Sequence, residues 1–237
     1  MINDEYLGKE KLILFLKMLL FLSENANFEQ NLDKMIGSAI SDKRYTVEEY
    51  IQFDEESGIR HEFHEGFLYP IDGTSTDHNE IIQNIVAQLR PVFRKRDCKI
   101  FHENLKLQIK NNSKYVYPDI ILTCDEQDKK TTFIVGHPSL IVEVLSKSTA
   151  AYDKGAKFNF YQSLPSIQYY LLIESRWQSI ELYSRTENKD IWTYQRFSKS
   201  TDIIELPKLD FKLTFEDIYQ DLNLPKSLSY ILEEDES

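Results

Sequence analysis

Apolar residues recur every three or four positions in one segment of the chain, which predicts an amphipathic helix. We expect this helix to begin near His78, with Asp77 as its N-cap, and Pro91 should kink or end it because proline lacks an N–H. A shorter helix is predicted after Thr46, with Glu49 completing a capping box. The apolar face of the longer helix is formed by Ile81, Ile82, Ile85, Val86, Leu89 and Phe93.

Uninterrupted or alternating apolar runs elsewhere predict strands at about 99–109, 116–123, 139–146 and 168–174, and a helix at about 151–163 separates the last two. Leu140 to Leu145 is apolar on both faces except at Glu143, which is typical of a central strand covered on both sides. Residues 60–69 alternate around Gly66 and predict a β-hairpin, and 178–185 with 190–198 predict an antiparallel pair. Residues 213–222 predict a short helix.

This order predicts an α/β chain, more closely an α+β fold with a mixed sheet, whose core runs helix, three strands, helix, strand. We expect a folded domain at 41–225, an N-terminal helical extension or linker at 1–40, and an acidic tail at 226–237. The apolar segment 12–22 contains Lys17 and is too short to span a bilayer, so we expect no membrane association. It also lacks the basic start and small-residue cleavage site of a signal peptide.

Composition supports a globular protein with a sizeable core, because 41% of the 237 residues are hydrophobic and 13% are aromatic. The net charge of -11 argues against non-specific binding to nucleic acid. Residues 90–114 are an exception, since they carry eight Lys or Arg against two acidic residues. That stretch either forms a basic surface that grips a phosphate backbone or is an ordinary solvated helix face and loop.

The two cysteines, Cys98 and Cys124, match no zinc-binding spacing and form no disulfide framework. We therefore interpret both as packing residues and expect a reducing, cytoplasmic location.

Two carboxylates in apolar runs are the main candidates for chemistry. Asp119 heads the run that follows Pro118, and Glu143 lies within the next one. A carboxylate in such a setting is costly to bury unless it is paired or binds a metal. If the two strands are neighbours, both side chains can face one divalent cation, and carboxylates with waters and phosphate suit Mg²⁺, with Mn²⁺ as a substitute. The alternative is a structural ion pair or two solvent-facing acids.

A positively charged side chain is also expected near such a site, close to the attacking water. Alternation places residues 143, 145 and 147 on one side of the strand, but position 145 is Leu, and Lys147 lies beyond the strand core. Asp153, Lys157 and Tyr161 recur at i, i+4 and i+8 on the next helix, so Lys157 could reach the site. The alternative is a surface Asp–Lys pair of little consequence.

Glu62 and His78 are further candidates, from the hairpin and from a helix start respectively. Each has a structural alternative, as a solvent-facing strand residue and as a hydrogen-bonded histidine. The sequence contains no phosphate-binding Gly-rich loop, no nucleophile elbow and no zinc-deaminase motif, which disfavours those chemistries.

A set of short motifs follows one another along the chain: Tyr45 to Tyr50, Glu62 to Gly66, His78, Pro118-Asp119, Val142 to Ser146, Ser148-Thr149, Asp153, Lys157, Tyr161 and Tyr170 to Ile173. In their order and spacing these motifs resemble the Uma2 family of the PD-(D/E)XK restriction-endonuclease-like superfamily, over roughly 44–220. The resemblance implies a Mg²⁺-dependent nuclease in which Asp119 and Glu143 bind the metal, Lys157 replaces the lysine usually found at position 145, and Glu62 matches a recurrent acid. The chain departs from the family's pattern at three positions: Lys147 stands where the family usually has Pro, Glu174 where Asp is frequent, and Tyr169 where Glu is frequent.

The leading hypothesis is therefore a metal-dependent endonuclease that hydrolyses DNA phosphodiester bonds. We also expect a homodimer, because two copies of the site would help to span the two strands of DNA. RNA as the substrate stays open. The alternative from another class is a catalytically inactive binding or regulatory module on the same fold.

Overall fold

A computed structural model describes residues 39–71, 73–109, 113–188 and 190–227. The chain divides into two units, Met1–Ser38 and Ala39–Ser237. The predicted helical extension around 12–22 and the acidic run 233–236 lie outside the described residues, and the predicted domain limits remain predictions.

The second unit consists of thirteen short strands and several helices, of which the longest is 18 residues, in its described part. In chain order they are α1 (Val47–Glu56), β1 (His61–His64), β2 (Phe67–Pro70), α2 (Thr76–Phe93), β3 (Lys99–His102), β4 (Lys106–Gln108), β5 (Lys114–Val116), β6 (Ile120–Thr123), β7 (Ile134–Val135), β8 (Leu140–Leu145), α3 (Ala150–Tyr152), a π-helical turn (Asp153–Lys157), α4 (Phe158–Gln162), β9 (Tyr169–Glu174), β10 (Ile180–Arg185), β11 (Trp192–Phe197), β12 (Ile203–Leu206), β13 (Phe211–Thr214) and α5 (Phe215–Ile218).

The larger sheet has the order β11-β10-β9-β8-β6-β3 and carries the predicted core. β8 pairs parallel with β9 and antiparallel with β6, and every residue of β8 and β9 is buried. This confirms that Leu140–Leu145 is a central strand covered on both faces. Since a parallel pair needs a crossover, the helical segment between β8 and β9 follows from the topology.

Helix α2 covers one face of this sheet with its apolar stripe, as its periodicity predicts. Its N-cap is Ser75 rather than Asp77, because the Ser75 hydroxyl accepts the N–H of His78 at 3.2 Å. Pro91 lies inside the helix, which ends two residues later at Phe93. For α1 the capping box between Thr46 and Glu49 is confirmed.

A second mixed sheet, of order β2-β1-β5-β4-β7, arises because two predicted strands are each divided between the sheets. Segment 99–109 forms β3 in one sheet and β4 in the other, and the chain changes direction at Glu103 and Asn104, both with positive φ (52° and 58°). Segment 116–123 is interrupted at Pro118, which cannot donate to a ladder. The hairpin β1–β2 is as predicted around Gly66.

The helical crossover contains a π turn that periodicity did not predict. Asp153–Lys157 is wound as a π-helix between two short α-helical pieces, so one extra residue is accommodated in the middle of the segment. Such turns are frequent at functional sites. Near the C-terminus, the predicted helix 213–222 is shorter, Phe215–Ile218, and its first residues instead belong to the β12–β13 hairpin.

Cys98 and Cys124 are joined by a disulfide, so their interpretation as unpaired packing residues is wrong. The antiparallel pairing of Lys99 with Thr123 places the two cysteines opposite each other, with Cα atoms 4.2 Å apart. Their separation of 26 residues gave no indication of this contact. Because disulfides are rare in a reducing cytosol, the cysteines no longer favour that compartment, which stays a prediction.

The mixed α+β class is as predicted from sequence. Within residues 39–71, 73–109, 113–188 and 190–227, no helix is long and apolar enough to cross a membrane.

Candidate functional site

Asp119 and Glu143 are brought together by the antiparallel pairing of β6 with β8. Ile120 pairs with Val142, so the preceding residue, Asp119, lies beside Glu143. The Val144 N–H donates to Oδ2 of Asp119 at 2.6 Å, and the Asp119 N–H donates to Oε2 of Glu143 at 3.4 Å. Each carboxylate is therefore fixed by the backbone of the other strand.

Glu143 is almost fully buried, whereas the Asp119 side chain is 20% exposed. Burial raises the pKa of Glu143 well above its usual value; Lys157 opposes this shift, and the negative charges of Asp153 and Asp119 add to it. The site thus contains more carboxylates than its one buried lysine, Lys157, can pair with, and it opens to solvent on the Asp119 side.

Lys157 is the cation at the centre of the cluster. Its Nζ lies 3.1 Å from Glu143 Oε1, 3.2 Å from Asp153 Oδ1 and 3.4 Å from Glu62 Oε1. Burial disfavours its charged form, yet Glu143, Glu62 and Asp153 together raise the pKa of Lys157 well above its usual value. Because three carboxylates share this amine, the cluster stabilises the charged form of Lys157. It does not stabilise the charged form of Glu143, which has only one lysine beside it and is buried.

The π turn orients the helical residues toward β8. Tyr161 donates its hydroxyl to Glu143 Oε1 at 2.5 Å, and Asp153 is buried beside Lys157. The Tyr170 hydroxyl donates to the Asp153 carbonyl at 3.0 Å, which ties the turn to β9. The structure therefore brings together all three residues of the predicted i, i+4, i+8 set, although the winding between them is not regular α-helix.

Glu62 reaches the same cluster from β1 of the second sheet. Its Oε1 accepts the N–H of Tyr117 at 3.3 Å in addition to contacting Lys157. Burial alone would raise the pKa of Glu62, but Lys157, His64 and Tyr152 lower it to about 2. Glu62 is thus a buried, ionised carboxylate and not a solvent-facing strand residue.

His78 lies at the first turn of α2 and contacts the open side of the site. Its Nε2 is 3.1 Å from Asp119 Oδ1, and the side chain is 7% exposed. This histidine fixes the carboxylate that the solvent can reach.

Lys147 is not part of the cluster. It is exposed in the turn that follows β8, whereas Leu145 is buried in the strand. Of the two lysines considered from sequence, only Lys157 contacts the carboxylates.

Tyr152 and His64 belong to the site but were not predicted from sequence. They contact Glu62 through Tyr Oη and His Nε2, at 2.5 and 3.2 Å. Strand alternation places residues 62 and 64 on one face of β1, so parity was an available signal for His64. Tyr152 directly precedes Asp153, and no spacing in the sequence relates it to a residue of the hairpin.

The basic stretch 90–114, as far as residues 90–109, 113 and 114 are described, does not form a single surface. Arg94 and Lys95 are exposed, but Lys106 is buried against Asp54, with Nζ 2.7 Å from Oδ2. Lys114 is partly buried, 3.7 Å from the centre of the Phe160 ring. The solvated alternative therefore fits part of the stretch, whereas Lys106 on β4 and Lys114 on β5 make contacts within the protein.

The donor set fits a divalent cation held by few protein ligands. In the described residues, no group of three or more His, Cys, Asp or Glu side chains is arranged as a complete metal site. Asp119 and Glu143 offer two carboxylates, and burial, together with the charges of Asp153 and Asp119, disfavours ionised Glu143 without a cation. Mg²⁺ is commonly bound by one or two carboxylates together with waters and phosphate, so this pair is adequate for that ion.

Comparison with known families decides the relationship of this chain. Residues 47–216 match the family model Uma2, described as "Putative restriction endonuclease". The chain belongs to the Uma2 family. That assignment supports a nuclease-type function, and it agrees with the resemblance seen in the sequence.

Two relatives of this Uma2 protein come from Synechocystis. One, named "Uncharacterized protein slr1290", is 37% identical over 76% of this chain and 93% of its own length. The other, "Uncharacterized protein sll1609", is 35% identical over 62% of this chain and 84% of its own length. A solved structure from Anabaena variabilis, described as "a putative nuclease belonging to DUF820", superimposes with a TM-score of 0.60 at 17% identity. The match covers 74% of this chain and 97% of that one, and at this identity the likeness shows the fold alone.

Proposed function

We propose that this Uma2 protein is a Mg²⁺-dependent endonuclease that hydrolyses DNA phosphodiester bonds and also accepts Mn²⁺. The observation that carries the proposal is the pairing of Asp119 with Glu143, each bonded to the other's strand, beside a lysine shared among three acids. A structural ion pair needs no such surplus of carboxylates. A site that binds a divalent cation does.

Asp119 and Glu143 would hold the ion. Bound Mg²⁺ supplies Lewis acidity toward the phosphate and lowers the pKa of a water. Lys157 lies 3.1 Å from Glu143 Oε1, where its ammonium orients the attacking water or stabilises the charge that develops on the phosphate. Tyr161 and His78 hold the two carboxylates in place through their hydrogen bonds.

A plasmid-nicking assay with Mg²⁺ or Mn²⁺ tests the proposal. Wild type is expected to cut, whereas Asp119→Ala and Glu143→Ala are expected to lose cleavage. Glu205→Ala, which removes an acid whose side chain is 62% exposed on β12, is the matched control and should cut like wild type. Equal cutting by all four proteins would show that a contaminant or another site is responsible.

The same assay separates the rival functions. Binding of DNA without cleavage under any ion would favour the inactive binding module. Preferential cutting of a labelled RNA would change the substrate class but keep the site. A homodimer would supply the two sites that cutting both strands requires, and sedimentation of the active protein tests it.

A further inference from the structure

Tyr152, His64 and Glu62 form a buried polar cluster directly behind Lys157. The Tyr152 hydroxyl oxygen is 2.5 Å from Glu62 Oε2 and 3.0 Å from His64 Nε2, which is itself 3.2 Å from Glu62 Oε2. All three residues are at most 5% exposed. Polar groups buried to this degree are costly unless they are mutually satisfied, so the hydrogen bonds within the cluster are needed to offset the cost of burial.

The hydrogen bonds of the cluster fix the direction of each donor. Ionised Glu62 can only accept, so the Tyr152 hydroxyl donates its single proton to Glu62. His64 Nε2 faces two oxygen atoms and must carry a hydrogen to bond with either. His64 Nδ1 is buried and has no hydrogen-bond partner among the described residues, so a hydrogen there would be unsatisfied. These conditions select the neutral Nε2–H tautomer of His64.

Burial supports this assignment, because it lowers the pKa of His64 despite the neighbouring Glu62. Neutral His64 adds no positive charge that could compete with Lys157 for Glu62. The carboxylate therefore presents Oε2 to two neutral donors and Oε1 to the Tyr117 N–H, at 3.3 Å, and the Lys157 ammonium, at 3.4 Å.

The location of Tyr152 in the chain couples this cluster to the helical segment that carries Lys157. Tyr152 directly precedes the π turn Asp153–Lys157, and its hydroxyl reaches β1 of the second sheet. The Tyr170 hydroxyl, from β9, bonds the Asp153 carbonyl on the first turn of the same segment. The turn that presents Lys157 is thus anchored to both sheets by phenol hydroxyls.

We infer that Tyr152 and His64 are positioning residues: through Glu62 they hold the Lys157 amine at the carboxylate pair. The inference rests on the proposed function for its kinetic consequence, but the geometry it asserts is independent of cleavage. Neither residue contacts the atoms that would react, so loss of either should lower kcat and leave KM nearly unchanged.

The test compares Tyr152→Phe with Tyr50→Phe. Both remove one buried phenol hydroxyl, but the Tyr50 hydroxyl donates to the His61 carbonyl, whereas that of Tyr152 donates to Glu62. Tyr152→Phe is expected to lower kcat about 10–100-fold, as for other residues that orient a catalytic group, and Tyr50→Phe less than about 3-fold. His64→Gln, whose amide can still donate to Glu62, should retain more activity than His64→Leu.

Two further measurements do not need cleavage. Nitrogen-15 NMR of histidine-labelled protein should show His64 as the neutral Nε2–H tautomer in wild type. Acetylation by acetic anhydride, followed by peptide mass spectrometry, should modify Lys157 several-fold faster in Tyr152→Phe than in wild type, relative to exposed Lys147. Tyr50→Phe should leave that ratio unchanged.

If wild type cleaves nothing, the proposed function fails, while the tautomer and the labelling ratio still decide the positioning role. A doubly protonated or Nδ1–H His64, or a Lys157 labelling ratio that is the same in wild type and Tyr152→Phe, would overturn the inference. Equal changes of kcat in Tyr152→Phe and Tyr50→Phe would also overturn it, because a general loss of packing would then explain both.

Discussion

Asp119 and Glu143 each accept a backbone hydrogen bond from the strand that carries the other, at 2.6 Å from the Val144 N–H and at 3.4 Å from the Asp119 N–H. Such reciprocal bonding fixes the two carboxylates relative to the sheet rather than relative to a loop. A cation held between them would therefore bind to a rigid pair.

Binding of Mn²⁺ should stabilise the protein. A ligand at about 100 times its Kd adds about 2.7 kcal/mol, which corresponds to a rise in Tm of roughly 5–11 °C for a chain of this size. The rise should grow with pH, because the raised pKa of Glu143 means that protons compete with the ion at low pH. Differential scanning fluorimetry with a Mn²⁺ titration measures it.

Asp119→Asn and Glu143→Gln should abolish this thermal shift, and Glu205→Gln should retain it. An unchanged shift in the first two variants would mean that the ion binds elsewhere.

Replacing Lys157 by Met should unfold or strongly destabilise the protein. The change leaves Glu62, Glu143 and Asp153 buried without their shared cation, and loss of one partner from a buried ion pair costs about 3–5 kcal/mol. Lys147→Met is the matched control, since that lysine is exposed and should change stability by less than about 0.5 kcal/mol. Urea denaturation measures both. Equal stability of the two variants would contradict the central role of Lys157.

Periodicity and strand patterning were sufficient to predict the core of the fold. The apolar stripe of α2 and the doubly buried run Leu140–Leu145 were recognisable because each feature depends on neighbours in sequence. The split of segment 99–109 between two sheets was not, because it depends on positive φ at two consecutive residues, Glu103 and Asn104, which the apolar pattern does not encode.

The candidate site, like the fold, was predictable only where the signal lies between residues that are near in sequence. Asp119 and Glu143 were conspicuous as acids in apolar runs, and Lys157 through its helical spacing from Asp153. Tyr152 was not, since its contact with Glu62 joins residues 90 positions apart. The disulfide between Cys98 and Cys124 was not predicted for a similar reason, because it depends on the register of β3 with β6.

Glu62 should make stability depend on pH in the acid range. Its pKa is about 2 in the folded protein against 4.5 for an unperturbed glutamate, so the unfolded chain binds the proton first as pH falls. The stabilisation is complete above about pH 5 and is lost progressively toward about pH 2. A shift of this size corresponds to about 3 kcal/mol.

Glu62→Gln should therefore flatten the decline of Tm between about pH 5 and pH 2. The same substitution at Glu205, 62% exposed, should leave the decline as in wild type. If wild type and Glu62→Gln lose stability in parallel, Glu62 is not ionised in the folded state.

His78→Ala should weaken metal binding without removing it. The imidazole Nε2 lies 3.1 Å from Asp119 Oδ1, and loss of a group that orients a metal ligand typically costs about 10–100-fold in affinity. Calorimetric titration with Mn²⁺ measures the change. His102→Ala, at an exposed histidine on β3, should bind like wild type. A His78→Ala affinity equal to that of wild type would assign the histidine a purely structural role.

The disulfide between Cys98 and Cys124 should contribute measurably to stability under oxidising conditions. It closes a loop across 26 residues, and restriction of the unfolded chain by a loop of that length is worth about 3 kcal/mol. Dithiothreitol should lower the Tm of wild type by roughly 6–12 °C and leave that of the double variant Cys98→Ser, Cys124→Ser unchanged. Mass spectrometry of the unreduced protein, with free thiols alkylated, establishes the starting state. Two alkylated cysteines in the freshly isolated protein, together with a Tm that does not respond to dithiothreitol, would mean that the cross-link does not form in the cell that produces it.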